Sequence, residues 1–238
     1  MSAESALQQF AETQSTEEFA LQNDRLLKIS LKGHEIQAKL GTMVAYQGDV
    51  TFEHAGSGGM SRMIKKAVTG EGQSLMKITG SGEVFLADTA QDIHLIYLEE
   101  DFITVNGPNL LAFDAGIDWD IKRLSGGAAG AMAGGLFNTE LKGTGWVALL
   151  SDGPPVLLNV AAAPTFADAQ AAITWSSGVS TGIRTDFKMK NLIGRGSGES
   201  IQMSFQGQGW VLVQPSEGRI IPVAQNSSSG GLGGLLNG

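Results

Sequence analysis

Gly80-Ser81-Gly82-Glu83-Val84-Phe85-Leu86 is the stretch that decides the fold, because two related copies follow it along the chain. They are Gly143-Thr144-Gly145-Trp146-Val147-Ala148-Leu149 and Gly207-Gln208-Gly209-Trp210-Val211-Leu212-Val213. Each copy follows a short run in which apolar and polar residues alternate, as they do along a β-strand. Glycine adopts positive φ angles and lets a strand bend sharply or approach another backbone. Each copy therefore predicts two strands that meet at a corner, with these structural glycines: Gly80, Gly82, Gly143, Gly145, Gly207 and Gly209.

A second landmark returns with the same period of about 64 residues. In residues 45–50, 112–117 and 174–179 an aromatic residue ends a strand, a glycine turns the chain and a β-branched residue follows. Two landmarks in each period predict an all-β domain of three pseudo-symmetric repeats, at about 34–98, 101–160 and 163–216. The whole domain is expected to span 25–222, after a flexible leader at 1–24 and before a flexible Gly/Ser-rich tail at 223–238.

Composition narrows the class of protein. With 33 glycines and only 17% charged residues, the chain suits a turn-rich β fold better than a helical one. The lack of cysteine excludes disulfides, thiolate metal sites and a cysteine nucleophile. A formal net charge of −8 argues against general affinity for nucleic acid, because the phosphate backbone carries the same sign of charge. Residues 1–22 carry no secretory signal and no apolar run could cross a bilayer, so we expect a cytoplasmic protein, with contact at a membrane surface left open.

Several of these stretches resemble the mitochondrial biogenesis family named for altered inheritance of mitochondria. The resemblance covers about 25–216 and rests on the Gly-x-Gly-x-Val corners and on residues 45–53, 58–71, 112–114 and 194–199. It implies a fold of the tryptophan-RNA-binding-attenuation-protein-like type, a shortened double-stranded β-helix or sandwich with pseudo-threefold symmetry and a tendency to assemble. It implies no established activity for the bacterial branch. The mitochondrial branch is linked to inner-membrane organisation, a role that we do not expect to transfer because the chain shows no presequence.

No residue pattern predicts catalysis. His34, His54 and His94 are far apart in sequence and fall in no metal-binding motif. No phosphate-binding loop and no nucleophile elbow is present. Asp120 and Lys122 share one face of a predicted strand, where a local ion pair is the simplest expectation. We therefore expect a protein that is not an enzyme and has no cofactor and no metal.

Three segments stand out by charge. Residues 57–72, 121–138 and 187–198 occupy the same place in each repeat, and they carry eight of the sixteen basic residues with Glu71 as their only acid. The first segment has the spacing of a short amphipathic helix, and all three are glycine-rich. If the repeats are symmetric, the segments emerge at one end, which we call the loop end. Its predicted interaction residues are Met60, Arg62, Met63, Ile64, Lys65, Lys66, Lys122, Arg123, Met132, Leu136, Phe137, Lys188, Lys190, Leu192, Ile193 and Arg195.

The loop end leaves several functions open. Its segments could pack on each other and cap the barrel, join copies of the chain into a homo-oligomer, or contact an anionic membrane surface. The sequence favours a non-catalytic assembly or scaffold protein that uses this end. The alternative is a binding module for a small ligand or an anionic polymer, with RNA suggested by fold analogy alone.

Overall fold

The computed structural model describes residues 2–54, 75–123, 137–184 and 202–216, and most of these residues are in β-strands. One short helix, α1 (Ala3–Leu7), and 3₁₀ turns at Gln8–Phe10 and Gly107–Asn109 are the helical elements of this part of the chain. Its strands are β1 (Phe19–Asn23), β2 (Leu26–Lys32), β3 (Ile36–Lys39), β4 (Met43–His54), β5 (Leu75–Leu86), β6 (Asp92–Asn106), β7 (Leu110–Asp114), β8 (Asp118–Arg123), β9 (Phe137–Ser151), β10 (Val156–Asn159), β11 (Thr165–Asp168), β12 (Ala172–Ser176), β13 (Val179–Arg184), β14 (Gln202–Gly207) and β15 (Trp210–Val213). The all-β prediction is confirmed.

The strands form two open antiparallel sheets. The larger sheet has twelve strands in the order β1-β2-β5-β3-β7-β9-β6-β12-β15-β10, and β4 and β8 add to it by pairing with β5 and β9. The smaller sheet has the order β11-β14-β13. The chain crosses from the smaller sheet to the larger one between β14 and β15, at the third Gly-x-Gly copy.

The first two Gly-x-Gly copies are not corners between two strands, as the sequence predicts, but bends inside one long strand. β5 runs without a break through Gly80 and Gly82, and β9 does the same through the second copy. The strand continues because its partner follows the same bend: β4 pairs with β5 in one register from Ala45 to its end, and Gly48 lies opposite Gly82. In the third copy the strand does break, since β14 ends at Gly207 and β15 begins at Trp210.

Apolar residues that alternate along the strands fill three neighbouring clusters. The first lies between β1, β2, β3 and β5 and includes Phe19 and Ile29, and the second surrounds Phe113 on β7. The third joins the two sheets, because Trp175 of β12 packs edge-to-face on Phe205 of β14, with ring centroids 5.6 Å apart. The two sheets therefore touch through an apolar contact at this place, and the gap between them widens beside it.

Part of the predicted leader belongs to the sheet. Strand β1 pairs with β2, and Phe19 is 2% exposed, so the ordered β structure begins before residue 25. The chain upstream of β1 is fastened by Lys28, whose Nζ donates to Glu12 Oε2 at 3.0 Å and to the Thr13 carbonyl at 3.2 Å. Nζ also lies 2.8 Å from Glu83 Oε1. Sequence reasoning missed this anchor because a lysine in a strand predicts exposure, whereas Lys28 is 4% exposed.

The predicted boundary between the first two repeats lies inside β6. Residues 99–101, at the predicted boundary, form an irregularity in the β6–β9 pairing between Leu98 and Asp101, with Glu100 at a φ of 55°. The strand continues on both sides because β9 pairs with both halves. The predicted helix in 57–72 and the predicted tail at 223–238 lie outside the described residues.

Candidate interaction cleft

A cleft of about 310 Å³ opens where the two sheets separate. Its floor is one face of the larger sheet, formed by side chains of β6, β9 and β8, and its cover is β13 of the smaller sheet. The described lining residues are Phe102, Thr104, Lys122, Asn138, Glu140, Trp175, Ser177, Val179, Thr181, Gly182 and Ile183. Most of these side chains are polar, although the cleft borders the apolar contact between the sheets.

The strand register brings the floor residues onto one face. Thr104 of β6 lies opposite Glu140 of β9, and Asn138 of β9 lies opposite Lys122 of β8. Side chains that are opposite each other, or two residues apart along a strand, point to the same side of a sheet. Trp175 extends the row, because β12 pairs with β6 and sets this residue opposite Thr104.

The charged groups of the floor form one ion-paired cluster. Lys122 Nζ lies 3.0 Å from Asp120 Oδ2 and 3.7 Å from Glu140 Oε2, so the ion pair expected from the sequence is present. The hydrogen bond to Asp120, helped by the attraction of Glu140, raises the pKa of Lys122. Lys122 remains half exposed and therefore keeps access to solvent and to a ligand.

Asn138 is the buried polar residue of the floor. It is 6% exposed, yet its carboxamide takes part in none of the side-chain hydrogen bonds found among the described residues. A carboxamide both donates and accepts, and the Asn138 nitrogen and oxygen are not among the described, fully buried polar atoms that lack a partner, so they keep contact with open space. Because this residue lines the cleft, the unused amide faces the space between the sheets.

The cleft lies beside the strand ends from which two of the three basic segments start, and we call these strand ends the roots of the segments. Lys122 is one residue from the end of β8 and Asn138 is the second residue of β9, so these residues flank the chain between β8 and β9. On the cover, Ile183 is one residue from the end of β13, after which the third segment begins. The structure thus brings both roots together around one opening.

The predicted interaction residues fall into three groups. Lys122 lines the cleft, and Arg123 is the last residue of β8. Phe137, expected on the surface, is instead 8% exposed as the first residue of β9, because it pairs with Arg123 in the sheet rather than lying in a loop. The remaining residues lie outside the described part of the chain: Met60, Arg62, Met63, Ile64, Lys65, Lys66, Met132, Leu136, Lys188, Lys190, Leu192, Ile193 and Arg195.

One serine and histidine pair has the distance of a catalytic contact. His94 Nε2 lies 2.7 Å from Ser151 Oγ, and Ser151 Oγ donates to the Gly153 carbonyl at 2.7 Å. Since the serine proton goes to that carbonyl, the histidine nitrogen donates to the serine oxygen. Burial lowers the pKa of His94, which favours its neutral form. Ser151 is completely buried, so a substrate has no path to its hydroxyl.

Two carboxyl groups with raised pKa values form another titratable cluster. Burial raises the pKa of Asp114, and burial together with repulsion from Asp114 raises that of Glu18. Glu18 Oε1 lies 3.9 Å from His34 Nδ1. Within the described ranges, no three histidine or carboxylate side chains converge in a way that could hold a metal ion. Nor is any helix in these ranges long and apolar enough to span a membrane.

Comparison with solved structures supports the fold. The crystal structure of protein SPYM3_0169 from Streptococcus pyogenes is similar over 83% of this chain and 92% of that one, with a TM-score of 0.68 and 22% sequence identity. No curated protein matches the chain. A family described as mitochondrial biogenesis AIM24 matches residues 19–216, which include β1 and every later strand. The chain therefore belongs to the mitochondrial biogenesis AIM24 family.

Proposed function

We propose that this chain is a non-catalytic assembly or scaffold protein that binds its partner through the loop end. The observation that carries this proposal is the shared opening between β8, β9 and β13, where Lys122, Asn138 and Ile183 mark the roots of two basic segments. A partner at this end would meet both segments at once. Such a surface offers charge and apolar contact together, which suits association between macromolecules.

The proposal includes three pseudo-symmetric repeats of the tryptophan-RNA-binding-attenuation-protein-like type. Similar backbone angles support it, since Gly82, Gly145 and Gly209 have φ angles of 156°, 147° and 146°. A shared contact also supports it. The N–H of Trp146 donates to Asp114 at 2.5 Å, and the N–H of Trp210 donates to Ser176 Oγ at 3.1 Å. Both acceptors directly follow the aromatic residue of the second landmark.

Self-association is our first choice of interaction. Burying a methionine, isoleucine or phenylalanine side chain contributes roughly 1.5–3 kcal/mol, so three or four apolar side chains from the loop end could hold copies together. Contact with an anionic membrane surface is the second form of the proposal, because each lysine or arginine near anionic lipid contributes about 1 kcal/mol. Either form fits a cytoplasmic protein that reaches the membrane only from its surface.

The mass of the full chain in solution tests the first form. We expect an oligomer whose mass holds as salt rises, because apolar contacts strengthen in salt while charge contacts are screened. The triple variant Met63→Asp, Met132→Asp and Leu192→Asp should lower the mass and leave the β signal in circular dichroism intact. The matched control is Val156→Asp with Leu157→Asp, two residues that are 53% and 62% exposed on β10.

Flotation with liposomes tests the second form. Vesicles with anionic lipid should carry the chain at low ionic strength and release it as salt rises, whereas neutral vesicles should not carry it. Lys188→Glu with Lys190→Glu should abolish flotation, and Lys32→Glu, an exposed charge at the end of β2, serves as the control. A monomer that binds neither vesicle type would reject the proposal in both forms.

A further inference from the structure

We propose that the cleft between the two sheets is a binding site for a small, neutral, polyhydroxylated molecule of the monosaccharide class. The inference goes beyond assembly, and its sugar titration gives a result that is separate from the mass and flotation tests of the loop end. Its central observation is the Asn138 carboxamide, buried to 6% exposure, lining the cleft and bonded to no other described residue.

The charges of the lining favour a neutral ligand. Lys122 and Glu140 are the charged residues among the described lining, and their opposite charges lie 3.7 Å apart. An anion attracted by Lys122 would also meet Glu140, as well as Asp120, which already holds the ammonium group at 3.0 Å. A cation attracted by Glu140 would meet Lys122. An anion is therefore repelled by two carboxylates, and a cation must compete with Lys122, which already pairs with both of them.

The hydrogen-bonding groups of the lining favour hydroxyls. The Asn138 amide donates and accepts, and so do the hydroxyls of Thr104, Ser177 and Thr181, while Glu140 accepts and Lys122 donates. A ligand hydroxyl also donates and accepts, so it can satisfy any member of this set. A ring that carries several hydroxyls would do so in several directions at once, which a ligand with a single polar group cannot do.

Aromatic side chains and size complete the match. Phe102 lines the cleft beside the polar groups and offers apolar surface to the C–H face of a sugar ring, while Trp175, which is 4% exposed and packs on Phe205, closes the apolar side of the cleft. A volume of about 310 Å³ lies at the lower end of the range for small-molecule sites, so it suits one ring rather than a chain of them. The site is built on paired strands, which fix the positions of its side chains.

Titration of the full chain with sugars, followed by nuclear magnetic resonance, tests the assignment. Glucose and myo-inositol should move the side-chain amide signals of Asn138 and the backbone signals of Thr104 and Thr181 in a saturable way. Phosphate and tetramethylammonium should leave these signals in place. Ethylene glycol at the same hydroxyl concentration is the control for mere solvation. Equal shifts with ethylene glycol, or larger shifts with either ion, would overturn the assignment.

Two near-isosteric variants locate the site. Asn138→Leu and Glu140→Met should each weaken sugar binding by about tenfold, because each removes one hydrogen-bonding side chain. Asp118→Asn is the matched control: it lies on β8 opposite Lys142, on the same face but outside the described lining, and should leave binding unchanged. If Asn138→Leu fails to fold, Glu140→Met decides the question. Unchanged binding in the folded variants would refute the site.

Discussion

The carboxylate of Asp114 accepts a hydrogen bond from the backbone N–H of Trp146 at 2.5 Å and so ties the end of β7 to the bend of β9. The two residues are distant in sequence, and the bond forms because Gly145 lets the backbone pass close to the carboxylate. Asp114 is partly buried, and burial raises its pKa even though the bond from Trp146 acts in the opposite direction. This contact therefore combines a stabilising bond with a costly buried charge.

Replacing Asp114 separates the two effects. Asp114→Ala leaves the part-buried Trp146 N–H without its acceptor, and we expect a loss of about 1–3 kcal/mol in the free energy of unfolding. Asp114→Asn keeps an oxygen acceptor and removes the charge, so it should cost far less at neutral pH. Urea denaturation of both variants checks this. Equal losses would show that the charge, rather than the hydrogen bond, holds β7 in place.

The pH dependence of Asp114→Asn follows from the same pKa shift. A carboxyl group whose folded pKa lies above its unfolded value of 3.8 stabilises the fold fully below 3.8 and loses that contribution as pH rises through the folded pKa. Between pH 3.8 and the folded pKa of Asp114, the free energy of unfolding of the wild type should therefore fall as pH rises, and that of the variant should fall less. Unfolding measured from pH 3 upward, at about one-unit steps, tests the sign. A steeper fall in the variant would contradict it.

Glu18 gives a second test of buried charge at the same place. Its pKa is raised by burial and by the nearby Asp114, and its Oε1 accepts no hydrogen bond from the described residues. Glu18→Gln should raise the free energy of unfolding at neutral pH by a few tenths to about 1 kcal/mol. The exposed Glu17→Gln is the control and should change little. The double variant with Glu18→Gln and Asp114→Asn should gain less free energy of unfolding than the two single changes predict when added, since each removes the same repulsion.

The anchor of the N-terminal segment should open in acid. Contact with Glu83 and the hydrogen bond to Lys28 lower the pKa of Glu12, so its stabilising contribution is present above the ordinary value of 4.5 and is lost as pH falls through the folded pKa. The N–H of Thr13, which donates to Gln22 Oε1 at 2.8 Å, reports on the anchor. Below pH 4.5 its resonance should move toward the random-coil position.

A variant of the same anchor should open it at neutral pH. Glu12→Ala removes the charged partner of Lys28 in the N-terminal segment. Hydrogen exchange of the Thr13 amide should therefore accelerate, while the thermal midpoint of the β core changes little. Glu17→Ala is the matched control on the same segment. A large fall in the midpoint would show that the anchor supports the whole sheet rather than this segment alone.

The sequence predicts the all-β class, because alternation and paired glycines act locally, but it does not predict that β5 and β9 continue through the first two Gly-x-Gly copies. It also places Lys122 beside Asp120, since residues two apart in a strand share a face. The sequence does not predict the role of Asn138, because an asparagine in a strand does not indicate which residues lie opposite. Only the register of β9 with β6 and β8 places Asn138 in the cleft. Phe137 is predicted as part of the loop-end surface because it lies in segment 121–138, although it is 8% exposed at the start of β9.

Substituting the bend glycines tests whether their backbone conformation is required. Gly145 has a φ of 147°, and a Cβ there would lie 2.5 Å from Asp114 Oδ2. Gly145→Ala should therefore lower the free energy of unfolding by about 1–3 kcal/mol, through backbone strain and displacement of the carboxylate that binds Trp146. Gly116→Ala is the matched control, since a Cβ at Gly116 meets nothing within 4 Å. Denaturant titration of the two variants should separate them clearly. If the two variants lose the same free energy of unfolding, the φ angle at the bend does not make glycine necessary. Alanine at Gly82 and Gly209 would then be expected to show no effect.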